Sequence, residues 1–387
     1  MKTMVSNMTR VCLGDVAREI KQKAPAGQEL PTVGLEHLDS GEVELARWDE
    51  DAETTFTKAF SKEQVLFGRR RAYLRKAAVA PFDGVCSGDI TVIAAKSNLS
   101  PRLLPFIIQN DALFEHAVTN SAGSLSPRVK WQSLSQFEFE LPSIGKQEEL
   151  ADILWAAQET RSHYRQLLTT CGDVVKSQFV EMFGDPSVNP KTFKTAGLLE
   201  LGNAKNGLNY HSKDTGYKVP CLGVADFGDL WAIEGASTLG KISLNERPSK
   251  EYCLEDGDIV FVRSNGNKEL VGRCLAVYPG KSEVVFSGFC IRVRLNDNRV
   301  RVPYLLALLK QDSVRRRLFG RGANVQNLNQ KLLSKIDVPL PPLELQQEFA
   351  DFAASVDKSK FTVQKALDEL NATTKKILNQ ELGLGDV

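Results

Sequence analysis

The sequence predicts a mixed α/β chain in which a large α+β domain followed by a long helix occurs twice, the two helices pairing as an antiparallel coiled coil. Three observations predict it. Apolar residues recur at alternating steps of three and four over residues 145–183 and again near the C-terminus. Each helical stretch is introduced by a matching segment, FEFELPSIGKQEELAD at 137–152 and IDVPLPPLELQQEFAD at 336–351, which sets Leu150 and Phe349 199 residues apart. The regions ahead of these segments share short motifs at low identity. The expected division is domain at 1–143, helix at 144–185, domain at 186–335 and helix at 336–387, an internal pseudo-twofold repeat.

Within residues 1–143, a short helix is expected over 13–23, then strands over 32–38 and 42–46 around the turn Asp39-Ser40-Gly41. Residues 64–67 and 77–80 read as the arms of a hairpin. Between the arms lie Arg69, Arg70, Arg71, Tyr73, Arg75 and Lys76, five cations and a tyrosine at one tip. Arginine binds phosphate and grips guanine through two donors, so this is a candidate DNA-facing loop. The alternative is a solvated charged hairpin. A buried strand over 89–94 and a helix over 101–118 complete the domain.

In the first long helix Leu150, Ile153, Ala157, Tyr164 and Leu167 form the seam, and Pro142 sets an extended approach to it. The second domain repeats the plan. Cys86-Ser87-Gly88 is echoed by Phe286-Ser287-Gly288, and Leu104-Pro105-Phe106 by Val302-Pro303-Tyr304. Arg263, Asn265, Asn267 and Lys268 occupy the place of the arginine loop. Asparagine suits adenine as arginine suits guanine, although Ser-Asn-Gly-Asn is equally good turn chemistry. Arg321, Asn324, Gln326 and Asn327 lie in a glycine-containing loop whose counterpart is 122–128, and both loops offer backbone N–H groups to phosphates. The second seam runs Phe349, Phe352, Val356, Val363, Leu370 and Ile377.

Composition sets limits on function. A formal net charge of +1 over 387 residues gives no global basic field, so a nucleic-acid partner must be met by local patches. Seven cysteines without C-x-x-C spacing suit a reduced, cytoplasmic protein lacking structural zinc. No apolar signal core or membrane-length run is present, and His37, His116, His163 and His211 lack metal-ligand spacing. There is no P-loop, no dinucleotide turn and no Asn/Asp-Pro-Pro-aromatic segment, so neither methylation nor cleavage is expected of this chain alone. A nuclease using Asp256, Asp258 and Lys268 is the weakest alternative, because acidic residues beside a strand are common in turns.

The two LP-x-(I/L)-x-x-Q segments leading into long helices, together with the order domain, helix, domain, helix, resemble the specificity subunit of a type I restriction-modification system. The likeness covers essentially the whole chain, and the central LPSIGKQEELAD departs from the family pattern at Ser143 and Gly145. The resemblance implies a non-catalytic reader of double-stranded DNA, with two target recognition domains that each read one half of a bipartite site. It also implies docking of methyltransferase subunits, two in number, on the helices, with restriction and translocase subunits beyond. S-adenosylmethionine, ATP and magnesium would belong to those partners, and none to this chain. A helix of about 39 residues at about 1.5 Å per residue is about 58 Å long, enough to keep two readers on separate stretches of duplex. The alternative function is a coiled-coil adaptor that binds proteins without DNA specificity.

Overall fold

The computed structural model describes residues 8–24, 30–50, 54–211, 213–228, 230–319 and 327–384. The chain divides into two compact units, residues 1–166 with 363–387, and residues 167–362. The residues of each long helix are thus divided between the two units.

Unit 1 begins with β1 (Thr9–Cys12), the single turn α1 (Leu13–Val16) and β2 (Ala17–Ile20). The helix expected over 13–23 therefore stops early, because Ala17 to Ile20 pair with a core strand, a tertiary gain that overrides local propensity. β3 (Thr32–Val33) is also shorter than expected, since the Gly34 N–H donates to His37 Nδ1 and closes a turn. No strand forms over 42–46, where Glu44 makes a single bridge to Val79, and just before it Ser40 bridges to Lys76. β4 (Lys58–Phe60), β5 (Val65–Gly68), β6 (Ala77–Val79), β7 (Gly84–Cys86) and β8 (Ile90–Ala95) follow. They form two sheets, ordered β2-β8-β5-β6 and β3-β7-β4. The expected helix over 101–118 is two, α2 (Leu104–Ile108) and α3 (Asp111–Thr119), because Asn110 caps the second by accepting from the Ala112 N–H. α4 (Trp131–Leu134) and β9 (Glu138–Leu141) lead into α5 (Ile144–Phe183), and β9 pairs antiparallel with β1.

Unit 2 repeats this with β10 (Thr195–Gly197), β11 (Gly202–Asn206), β12 (Tyr217–Leu222), β13 (Ala232–Glu234), β14 (Lys241–Leu244), β15 (Asp258–Val262), β16 (Cys274–Tyr278), β17 (Val285–Phe286) and β18 (Cys290–Leu295). α6 (Val302–Leu309), α7 (Asp312–Phe319), α8 (Gln330–Leu333), β19 (Asp337–Pro339) and α9 (Leu343–Glu381) follow. The larger sheet is β11-β18-β15-β16-β13, which is the unit 1 order with one strand added. Its smaller sheet, β14-β12-β17, keeps the parallel pair seen between β3 and β7.

Alternation along the central strands builds a core on each face of the larger sheet in both units, as the period of two requires. In unit 1, Val65, Phe67 and Ile93 face the helices, while Leu66, Ile90 and Val92 face the small sheet. In unit 2, Ile259, Phe261, Ile291 and Val293 face the helices, while Val260, Val262 and Cys290 face the other way. Both faces of these strands are covered, so β5 and β15 read in sequence as apolar runs over 65–67 and 259–262, while Thr91 interrupts β8 and Arg292 and Arg294 interrupt β18.

The matched preludes do the same work twice. Gln147 Oε1 accepts from the Ser100 N–H at 2.8 Å, and its Nε2 donates to the carbonyls of Asn98 at 3.2 Å and Pro142 at 2.9 Å. Gln346 Oε1 accepts from the Arg301 N–H at 2.8 Å, and its Nε2 donates to the carbonyls of Arg299 and Pro341, each at 2.9 Å. Each buried amide satisfies backbone groups that would otherwise be stranded where a loop meets a long helix.

In unit 1 the first turns of α5 (Leu150, Ala151, Leu154) share a core with the last turns of α9 (Leu378, and Leu382 just beyond it). In unit 2 the end of α5 (Val175, Phe179, Phe183) packs with the start of α9 (Phe349, Ala353), and the Phe179 and Phe349 rings meet edge to face at 5.5 Å. Start meets end in both units, which is the antiparallel sense. Along α9 the expected seam residues Phe349, Phe352, Val356, Val363, Leu370 and Ile377 are buried or half-buried. Along α5 the seam needs correction. Leu150 is buried and Ala157 and Tyr164 are half-buried, but Ile153 and Leu167 stand exposed, and the packed face runs one residue later through Leu154, Gln158, Arg161, Leu168 and Val175. Part of that face is polar because within unit 1 it lies against Glu44, to which Gln158 Nε2 donates at 3.3 Å. A reading that follows apolar residues alone slides past Gln158 to its neighbours.

Candidate nucleic-acid interface

In each unit the hairpin tip, the turn before the last core strand and the loop before the prelude are held together by one set of backbone bonds. In unit 1 the Arg69 N–H donates to the Asp89 carbonyl at 2.9 Å, and the Val129 N–H to the Arg69 carbonyl at 3.0 Å. In unit 2 the Arg263 N–H donates to the Phe289 carbonyl at 2.8 Å, and the Leu328 N–H to the Arg263 carbonyl at 2.7 Å. Bridges from Arg70 to Arg128 and from Ser264 to Asn327 complete the match. The loops singled out in the sequence are therefore brought to one surface in each unit.

The tip of unit 1 is a built turn. Arg71 and Arg75 flank a 3-10 turn over Ala72–Leu74, and both are left-handed, with φ of 55° and 52°. For arginine this costs roughly 1 kcal/mol each, offset by bonds that fix the turn. The Arg71 N–H donates to the Pro127 carbonyl at 2.8 Å, the Arg75 carbonyl accepts from the Gly41 N–H at 3.1 Å, and Ala72 is buried beneath. Three of the predicted contact residues serve the turn itself or its surroundings: Arg75 pairs with Asp111, Lys76 Nζ donates to the Leu35 carbonyl at 2.7 Å, and Arg70 Nη2 donates to Ser126 Oγ at 3.2 Å. Arg71 and Tyr73 are exposed, Tyr73 by 56%, and Arg69 is half-buried.

Asp89 is a group that sequence reasoning passed over as the first residue of a strand. Its carboxylate accepts from Arg128 Nε at 2.7 Å and Nη2 at 3.2 Å, and Arg70 Nη1 lies 3.5 Å away. The Arg128 hydrogen bonds hold the Asp89 carboxyl below the usual carboxylate range, and the same pairing raises the guanidinium. The signal available in the sequence was the Ser-Gly pair at 87–88, matched at 287–288, which places residues 89 and 289 at equivalent turns.

In unit 2 the turn chemistry anticipated for Ser-Asn-Gly-Asn is realised. Asn265 Oδ1 accepts from the Asn267 N–H at 2.8 Å, and Asn267 Oδ1 accepts from the Glu269 N–H at 3.0 Å, capping a 3-10 turn that Lys268 begins. The side-chain carbonyls are thus spent locally, and Asn267 and Lys268 are exposed. Arg263 Nη1 reaches the Gly288 carbonyl at 3.4 Å. Beside them Phe289 is 62% exposed, and Arg315 Nη2 donates to the Glu269 carbonyl at 3.2 Å. Asn327 is exposed next to Ser264, whereas Arg321, Asn324 and Gln326 lie outside the described residues.

Groups considered for other chemistry have structural partners. Asp258 is buried against Arg294, with Oδ2 2.8 Å from Nη2, and Asp256 Oδ1 accepts from the Gly280 N–H at 2.8 Å. Among the described residues no group of three or more His, Cys, Asp or Glu side chains is placed to hold a metal ion. Nor is any helix among them long and apolar enough to cross a membrane.

Comparison with known proteins places these features in a family. A family model described as the type I restriction modification DNA specificity domain matches residues 189–372. The chain is 31% identical over 321 residues to the StySPI type I restriction enzyme specificity subunit of Salmonella potsdam, covering 77% of this chain and 68% of that protein. It is 22% identical over 296 residues to the EcoKI specificity subunit of Escherichia coli K12, covering 69% and 62%. The fold is similar to that of the type I restriction-modification S subunit from M. genitalium, with a TM-score of 0.52 at 16% identity over 100% of this chain and 99% of that one. A chain solved in work on assembly of the type I R-M system aligns over 100% of both chains, with a TM-score of 0.56 at 18% identity.

Proposed function

The chain belongs to the specificity subunits of type I restriction-modification systems, and we propose that it reads a bipartite DNA target, with unit 1 on one half-site and unit 2 on the other. The observation that carries this reading is the repeated loop cluster, 69–76 with 89 and 122–128 in unit 1, and 263–268 with 289 and 327 in unit 2, held by equivalent backbone bonds. Each target recognition domain spans the region ahead of its prelude, 1–143 and 186–335, and the long helices at 144–185 and 336–387 carry the docking surface.

That surface binds methyltransferase subunits, two of them, with restriction and translocase subunits joining the complex. Support comes from apolar residues left uncovered on the long helices: Ile153 in unit 1, and Leu167, Val174 and Phe361 in unit 2. S-adenosylmethionine, ATP and magnesium act on the partner subunits, and the complex works in the cytoplasm. This chain supplies position and sequence preference, and the chemistry lies elsewhere.

The test is the salt dependence of DNA binding by the assembled complex. Contacts to about six to ten phosphates predict a loss of roughly 10³ to 10⁵ in affinity between about 50 and 200 mM salt. A flat response would favour the adaptor reading.

A further inference from the structure

We propose that Asp89 is a positioning residue, which holds the Arg128 guanidinium so that its outer edge reads a guanine in the half-site of unit 1; this rests on the bipartite reading above. Three observations carry the assignment. The Asp89 carboxylate engages Arg128 through Nε and Nη2, at 2.7 and 3.2 Å. A guanidinium carries five N–H donors in a fixed plane, so an acid on the Nε–Nη2 edge leaves the Nη1–Nη2 edge oriented, with two parallel donors. That spacing suits the paired N7 and O6 acceptors of guanine in the major groove.

The second observation is the setting. Arg128 sits in the loop that bridges to Arg70, and Arg70 is held in the same cluster by Ser126 at 3.2 Å and by Asp89 at 3.5 Å. The side chain of Arg128 is 42% exposed, whereas that of Asp89 is 21% exposed, the order expected of a reading group on a supporting one. The third is the contrast with the repeat. Phe289 occupies the same turn in unit 2, its N–H donating to Ser287 Oγ at 3.3 Å as that of Asp89 donates to Ser87 Oγ at 3.2 Å. The backbone does not require an acid at this turn, so the carboxylate of Asp89 serves the arginines.

The experiment is modified-base sequencing of DNA from cells in which this chain is assembled with its cognate methyltransferase subunits, comparing wild type with Asp89→Asn, Asp89→Glu and Arg128→Ala. Expected is a required guanine in one half-site whose discrimination falls about tenfold or more in Asp89→Asn and in Arg128→Ala, at the same position. The other half-site should be unchanged, and Asp89→Glu should restore part of the preference. Unchanged preference in Asp89→Asn, a uniform fall across all sites, or the absence of a required guanine would each overturn the assignment. A uniform fall would mark a phosphate clamp or a purely structural pair. A wild-type complex with no two-part motif would instead sink the bipartite reading, and this assignment with it.

Discussion

At the tip of unit 1 a carboxylate ties down an arginine fork, whereas at the same turn of unit 2 a phenylalanine ring stands in solvent. Beneath these tips the two units agree nearly bond for bond. The Arg69 and Arg263 N–H groups donate to the carbonyls of residues 89 and 289, and Gln147 and Gln346 each make three equivalent hydrogen bonds. Main-chain bonds are indifferent to side-chain identity, so the tip can change its chemistry without disturbing the platform that presents it. The proposed reading of two different half-sites would need that separation.

Exchanging a domain or the residues at a tip tests how far the two units act separately. Replacing residues 1–143 with the first domain of another family member should change one half-site entirely and leave the other intact, as read by modified-base sequencing. A change in both halves would mean that the units do not read separately. Replacing Arg69, Arg70 and Arg71 together by Ala should abolish recognition of one half-site while the subunit complex still assembles on a sizing column. Retained sequence preference would remove this loop from the reading surface.

Smaller effects test the platform. Gln147→Ala and Gln346→Ala should each cost roughly 3 kcal/mol, since each strands buried backbone partners, and the loss should be local. Hydrogen exchange should show β8 loosening in the first variant and β18 in the second, by similar amounts; a loss in one variant alone would break the equivalence. At the tip of unit 2, Asn267→Ala should lower stability by about 1 kcal/mol and Asn267→Ser by much less, because serine also caps. If both variants also lose the same base preference, the side chain is reading DNA as well as capping the turn.

Acid should act on unit 1 in a defined direction. The Asp89 carboxyl is held below its ordinary value by Arg128, so its pairing contributes fully above the ordinary carboxylate range and is lost as pH falls through the lowered folded value. Half-site preference should accordingly stay constant from about pH 5 to 8.

The repeat was legible in the sequence because it is written in residues with strict backbone or packing duties: the prolines before each helix, the glutamines that follow them, and the apolar runs of β5 and β15. The apolar repeat along α9 falls on residues that are buried or half-buried. The α5 seam was not legible, because Gln158 and Arg161 hold packed positions that hydropathy assigns to solvent, while Ile153 and Leu167 are apolar and exposed. Local signals also misled where pairing decided the outcome, as at Ala17 to Ile20. Within the candidate interface the loops were visible as charge and turn chemistry. The division of labour inside them was not, because Arg75 and Lys76 differ from Arg71 only in the partners that the fold brings up, Asp111 and the Leu35 carbonyl.

Modified-base sequencing of DNA from cells that express this chain with its cognate methyltransferase, against cells lacking only this chain, tests whether the two units read a bipartite target. A methylated-adenine motif in two defined parts with a fixed unread gap, present only with the chain, is the predicted result. Active methyltransferase with no such motif would contradict it.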